Sequence, residues 1–406
     1  MDSPGSSENE YLMKAIMRSL SLLQEAFVPY VGVLVQKLTE KLIAVSKNPS
    51  KPHFNHYLFE SMCVAVRTTC KENKAAVASF ESGLFPPFQE ILQQDVQEFI
   101  PYVFQVLALL LEMHTQVSEE YMALFPHLLQ PVLWERPGNI PPLVRLLQAY
   151  IEKGSANIQP DKVNGLLGIF QKLIASKGND HEGFYLLNTM FESMPKELLG
   201  SYMKQIFILI FQRLQSSKTT KYVKSLLIFF SVFIIKNGGP ALIETIDSIQ
   251  AKMFGMVLER LYIAEVQKVG DTEDKKLCAV GMVKLLTETP AMYQGEYAAQ
   301  WAPLLQALIG LFELPEDTSV PDDEHFIDIE DAPGYQAAYS QLIFAGKKER
   351  NPVKDIPDAK LFFVKQLQML SSVIPGKVPA MVSSGLQPEA ANFLQQYLNA
   401  AGIQLS

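Results

Sequence analysis

The strongest constraint on this chain is a recurrence. Apolar residues return at i, i+3, i+4 and i+7 along nearly its whole length, which is the period of one buried helix face, and almost no stretch alternates as a half-buried strand does. Leu12, Ile16, Leu20 and Leu23 make the first such face, and Val33, Leu34, Leu38, Leu42 and Val45 make the second. Between them FVPYV breaks the run, because Pro29 has no amide to donate and pushes its predecessor away from helical angles. The pair then repeats. Its first helices are expected near Asn9, Pro52, Val96, Asn139, His181 and Thr219, at spacings of roughly 43, 44, 43, 42 and 38 residues, in or close to the range of HEAT and armadillo repeats. Prolines recur in the second helices, at Pro29, Pro86 with Pro87, and Pro126.

An amphipathic pair of this size has nowhere to bury its face except against its neighbours, so the pairs must stack. The expected fold class is all-α, an α-solenoid or superhelix of HEAT-type antiparallel helix pairs. Phe104, Phe170, Phe207, Phe211, Phe229 and Phe230 fall on the apolar faces and read as core. A long second helix is expected from Pro240 to Val269, then a pair over Glu273 to Pro290 and Met292 to Leu314. Helical signal resumes over Tyr335 to Lys348, pauses through NPVKDIPD, and continues over Ala359 to Ser372 and Pro388 to Ala401. The expected organisation is a disordered stub at 1–8, a repeat array at 9–314, an inter-helical insertion at 315–334, and C-terminal helices capping the array at 335–406.

The length of 406 residues exceeds what one compact core supports, which suits an extended array. Charge singles out the insertion. Of the 43 acids, nine lie between Glu313 and Asp331 with no Lys or Arg among them, and the rest of the chain, with 34 acids against 35 bases, is close to neutral. Three prolines and a dense run of like charge do not make a stable helix, so PEDTSVPDDEHFIDIEDAPG reads as exposed. A concentrated acidic stretch argues against direct nucleic-acid binding and for a basic protein partner. Asp322, Asp323, Glu324, Asp328, Glu330 and Asp331 are the candidate partner-binding residues, and the interleaved Phe326, Ile327 and Ile329 favour that use over mere solvation.

The signatures of catalysis are missing. Neither G-x-x-x-x-G-K-[ST] nor G-x-G-x-x-G occurs, and there is no HEXXH or G-x-S-x-G. His53 and His56 have a spacing that places two ligands on one helical face, but no third ligand lies near them, so neither a metal nor another cofactor is expected. Cys63, Cys70 and Cys278 have no CxxC spacing, fit no disulfide framework, and sit in or beside apolar helices as buried thiols in a reducing compartment. The first residues carry no basic n-region or apolar h-region. The longest apolar run, Leu226 to Ile235, is about half the ~20 residues that span a bilayer, so no membrane span is expected. The chain reads as a binding protein, not an enzyme.

Several idiosyncratic segments carry a resemblance: DVQEFIPYVFQVLALLLE, YMALFPHLLQPVLWERPGNIPPLVRLLQ, QIFILIFQRLQSSKTTKYVKS and LIGLFELPEDTSVPDDEHFIDIEDAPGYQAAYSQLIFAGKK. They closely resemble the C-terminal part of the cellular apoptosis susceptibility family, the importin-α re-exporters of the importin-β superfamily of karyopherins, from about Glu8 to Ser406. The resemblance implies a receptor that binds importin-α cooperatively with the small GTPase Ran in its GTP form and returns it from nucleus to cytoplasm. It implies GTP carried by Ran and not by this chain, and a location shuttling between nucleus and cytoplasm. Members of that family are much longer and have an N-terminal region carrying the principal Ran contact, so MDSPGSS is expected to open a partial product. The competing expectation is a HEAT scaffold that holds a multi-protein complex without a nucleotide-linked cycle.

Overall fold

The computed structural model describes residues 7–315 and 340–406. Among these the regular structure is helical throughout, and the repeat boundaries fall close to the expected ones. The chain divides into two compact units, residues up to 169 with 340–349, and residues from 170 with 350–406.

In the first unit, α1 (Glu10–Leu23) is capped by Asn9, whose side chain accepts from the Leu12 amide at 3.0 Å. Pro29 falls in a 3-10 turn, Gln24–Tyr30, which delivers the chain into α2 (Val31–Ser46). There follow α3 (Pro52–Glu72), α4 (Val77–Gln93), α5 (Ile100–Glu112), α6 (Glu119–Leu128), α7 (Ile140–Gly154) and α8 (Pro160–Ile174), whose last turn belongs to the second unit. Proline in the first turns of α3, α5 and α7 costs nothing there, because the missing amide would have had no partner within the helix. The row α1, α3, α5, α7 packs in succession, and α2 and α4 form a second layer over it. Burial on both sides makes α5 apolar almost all round, with Tyr102 through Leu111 withdrawn from solvent. The same holds for Leu143 to Ile151 of α7, apart from Arg145.

In the second unit the inner row is α9 (Asp180–Ser193), α12 (Thr220–Asn237), α15 (Thr272–Glu288) and α18 (Ala359–Val373). Around it lie α10 (Lys196–Gly200), α11 (Met203–Ser216), α13 (Gly239–Asp247), α14 (Met253–Val257), α16 (Pro290–Tyr293), α17 (Trp301–Phe312), α19 (Lys377–Gly385) and α20 (Pro388–Ala401). Thr219 caps α12, and Gly238, at φ +87°, ends it in a conformation that favours glycine. Phe229 stands at the centre of a ring cluster with Phe184, Phe191, Phe207, Phe230 and Phe233, centroids 5.2–6.3 Å apart. All six aromatic residues assigned to the core by periodicity are buried. The chain end is tied back to α18: the Ser406 carbonyl accepts from the Ser371 hydroxyl at 2.6 Å and the Gly376 amide at 3.0 Å.

Four expectations are corrected. The long helix over 240–269 is broken after Asp247, where Lys252 takes φ +60° and Asp247 Oδ1 accepts the Phe254 amide, starting α14 afresh. It then continues through a π-helical turn, Leu258–Ile263. The expected helix over 292–314 is likewise split into α16 and α17. An unforeseen helix, α19, lies between the last two expected ones. Most consequential, the part of the expected helix 335–348 that is described, from Ser340 on, is not α-helical. It runs extended apart from one 3-10 turn, Ile343–Ala345, and belongs with the first unit as far as residue 349.

The apolar run of α12 is core: Leu226, Leu227, Phe229, Phe230, Val232, Phe233 and Ile234 are buried. No single helix among the described residues is long and apolar enough to cross a membrane.

Candidate functional site

The extended segment 340–348 lies on the first unit, held by a track of polar side chains from α3, α5 and α7. Glu60 of α3 is 1 % exposed, and its two carboxylate oxygens accept the amides of Ile343 at 2.6 Å and Phe344 at 2.9 Å. One turn back, His56 Nε2 lies 3.5 Å from Glu60, while its Nδ1 faces the Tyr102 hydroxyl at 3.1 Å. Gln105 of α5 uses both ends of its amide: Oε1 accepts the Leu342 amide at 2.8 Å, and Nε2 donates to the Ser340 carbonyl at 3.1 Å. Arg145 of α7 donates Nη1 to the Gly346 carbonyl at 2.7 Å and Nη2 to the Ala345 carbonyl at 2.9 Å. Its planar fork is fixed from the other side by Glu112, which accepts from Nε and Nη2 at 2.9 and 2.8 Å. Lys348 closes the set with Glu152 at 2.6 Å.

These residues form two rows set by the repeat. Glu60, Gln105 and Arg145 occupy equivalent positions of successive inner helices, and Arg67, Glu112 and Glu152 lie two turns further along the same helices. A polar residue that recurs at the repeat spacing in an otherwise apolar helix is therefore the signal for the track. It is visible in IPYVFQVLALLLE and LVRLLQ once the helices are aligned by period. Residue choice along the rows suits main-chain capture, with an anion for amides, an amide side chain for one of each, and a guanidinium for carbonyls.

The six acidic residues read as a partner site, Asp322, Asp323, Glu324, Asp328, Glu330 and Asp331, lie outside the described residues, as does nearly all of the insertion. So do most of residues 1–8. His53 and His56 serve different partners: His53 Nδ1 faces Glu10 at 3.2 Å, and His56 faces Tyr102 and Glu60. Among the described residues no three His, Cys, Asp or Glu converge as a metal cluster would require. The three thiols are buried. Burial pushes the Cys63 thiol well up with help from Glu60, Cys70 to about 11 with help from Glu81, and Cys278 to about 12, so none is an activated nucleophile near neutral pH. A cleft of about 450 Å³ between α2 and α4, walled by Val31, Val35, Ile43 and Phe80, shares no residue with the track.

Stacked helix pairs with a polar row at the repeat period define an all-helical HEAT-type repeat protein. Within that class the assignment is specific: residues 1–397 match the family described as CAS/CSE protein, C-terminus, and the chain belongs to that family. It is 66 % identical over 407 aligned positions to exportin-2 of Danio rerio and 63 % identical to exportin-2 of Homo sapiens and of Xenopus laevis, with 99 % of this chain covered in each case. The chain spans 42 % of the length of these relatives. The solved structure of the exportin Cse1 in its cargo-free, cytoplasmic state matches at 30 % identity with a TM-score of 0.84, covering 97 % of this chain and 40 % of that one. These matches support the α-solenoid class expected from the recurrence.

Proposed function

We propose that this chain is the C-terminal arch of a nuclear export receptor that binds importin-α cooperatively with Ran in its GTP form and returns importin-α from nucleus to cytoplasm. The observation that carries the reading is identity of 63–66 % with exportin-2 over 99 % of the chain. In this reading the chain acts by binding, carries no cofactor of its own, shuttles between nucleus and cytoplasm, and depends for its switch on the GTP held by Ran. Cargo and GTPase are coupled because each favours the same state of the receptor and therefore favours the other.

The acidic residues Asp322, Asp323, Glu324, Asp328, Glu330 and Asp331 are proposed to steer a basic face of importin-α or Ran. Charges of this kind act on association rate and salt dependence more than on the final contact. Their replacement by Ser or Asn is expected to weaken binding and flatten its salt dependence; an affinity unchanged at both low and high salt removes the steering role. The reading as a whole is tested by a pull-down of importin-α with this chain and with full-length exportin-2, each with and without GTP-loaded Ran. Retention of importin-α by the chain, strengthened by GTP-loaded Ran, supports it. Failure to bind where full-length exportin-2 binds assigns cargo capture to the part of exportin-2 that this chain does not match.

A further inference from the structure

The track on the first unit reads main chain almost exclusively. Glu60, Gln105 and Arg145 engage the Ser340, Ala345 and Gly346 carbonyls and the Leu342, Ile343 and Phe344 amides. Side-chain demands on the bound segment are few. Leu342 and Ala345 are buried at 0 and 2 % exposure, whereas the Ile343 side chain points to solvent at 67 %. Gly346 takes φ +70°, and a Cβ there would come within 3.0 Å of Arg67 Nη1. Lys348 meets Glu152. The pattern accepted is an apolar residue, a small residue three positions on, glycine at the next, and a base two positions beyond it.

The chemistry of the track also says how it is vacated. Stripped of the segment, Glu60 would lose both of its amide donors and Arg145 two carbonyl acceptors, and each would have to be rehydrated. Water would have to replace those bonds one by one, and the burial of Leu342 and Ala345 would be lost outright. Any other extended backbone of the same pattern restores every one of these bonds, because they do not depend on side-chain identity. The segment is thus easier to exchange than to remove.

We propose that the α3–α5–α7 track is a peptide-binding site that the chain's own segment 340–348 occupies in cis, and that its ligand in trans is an extended basic peptide of the pattern above, supplied by a partner protein. Tethering keeps the cis segment at high effective concentration, so the trans peptide competes only when it is itself held nearby or when the cis segment is weakened. This goes beyond the transport reading and requires neither importin-α nor Ran.

The test uses a fluorescently labelled synthetic peptide with the sequence of residues 340–351, SQLIFAGKKERN, titrated by anisotropy into the 406-residue chain. A variant carrying Leu342→Pro, Ile343→Pro and Phe344→Pro, which removes the three amides that Gln105 and Glu60 accept, is expected to bind it about 100-fold more tightly than the intact chain. A peptide carrying Glu at the position of Lys348 is expected to bind that variant about tenfold more weakly, and to recover when Glu152→Lys is added. No binding to the proline variant, with helical content and unfolding cooperativity retained, overturns the proposal. If the three prolines destroy the fold, Leu342→Ser in the otherwise intact chain decides. A rise in peptide affinity of about tenfold supports exchange, and an affinity equal to that of the intact chain overturns it.

Discussion

The first and second units are stacked from helices of similar period, yet different chemistry ties each one across its inner row. In the second unit the tie between α9 and α12 is aromatic: Phe229 touches rings of α9, Phe207 of α11 touches rings of α12, and Phe230 reaches Tyr262 at 6.3 Å. Its buried ion pair, Asp180 with Arg213 at 2.7 Å, lies at one edge, with the guanidinium 4.8 Å from the Tyr222 ring. In the first unit the inner helices carry a polar row, and a segment from more than 190 residues away in sequence crosses it. Ring contacts prefer edge-to-face or offset geometry but are less directional than hydrogen bonds, so an aromatic cluster holds its helices together chiefly by close packing. Forked hydrogen bonds to a shared backbone are directional and fix the spacing of every helix that contributes one.

The largest effect is expected where the aromatic tie is cut. Phe229→Ala should destabilise the second unit by about 3–5 kcal/mol, read in urea unfolding, with the first unit unaffected if the two ties are independent. Arg145→Met in the first unit frees two carbonyls and leaves Glu112 without its partner, at a cost of about 3 kcal/mol. A loss well below 1 kcal/mol would show that the polar row does not hold the unit. Glu60→Gln keeps the shape of the side chain but turns one acceptor into a donor facing an amide; about 2 kcal/mol is expected, with the Ile343 and Phe344 amides exchanging about 30-fold faster. Gly346→Ala should cost about 1 kcal/mol, since its φ is positive and only the mobile end of Arg67 has to give way.

The three thiols offer a separate readout for each unit. Cys63 and Cys70 lie on α3 and Cys278 on α15, all buried, with pKa values raised chiefly by burial. Maleimide labelling of the folded chain at pH 7.5 should therefore be slow at all three positions. Phe229→Ala should expose Cys278 first, and Arg145→Met should expose Cys63 and Cys70 first. Because the folded state holds the neutral thiol, the unfolded chain deprotonates earlier. Any stability from this source is complete below the ordinary thiol value of 9.0 and declines as pH rises above it. Rapid labelling of all three thiols together would mean that the two units open as one.

Much of the fold was legible because the period of burial is written in every helix. Pro52, Asn139, His181 and Thr219 each lie within a residue of a helix start, and Pro388 to Ala401 coincides with α20. Breaks were harder. Asp247 ends one helix and accepts an amide of the next, a contact made seven residues away that no local pattern announces. The candidate site was hardest of all. Gln105 and Arg145 read as isolated polar residues in apolar helices, and the segment that satisfies them reads as helix, because Leu342, Ala345 and their neighbours have helical spacing.

By itself the sequence determined the helical class, the repeat, the aromatic core and the concentration of charge in one stretch, since each rests on a local period or a count. Tertiary structure alone decided that residues 340–348 surrender their helix and lie along the first unit. Their main-chain groups find stronger partners in Glu60, Gln105 and Arg145 than in one another, and those partners converge only after the helices that carry them have stacked.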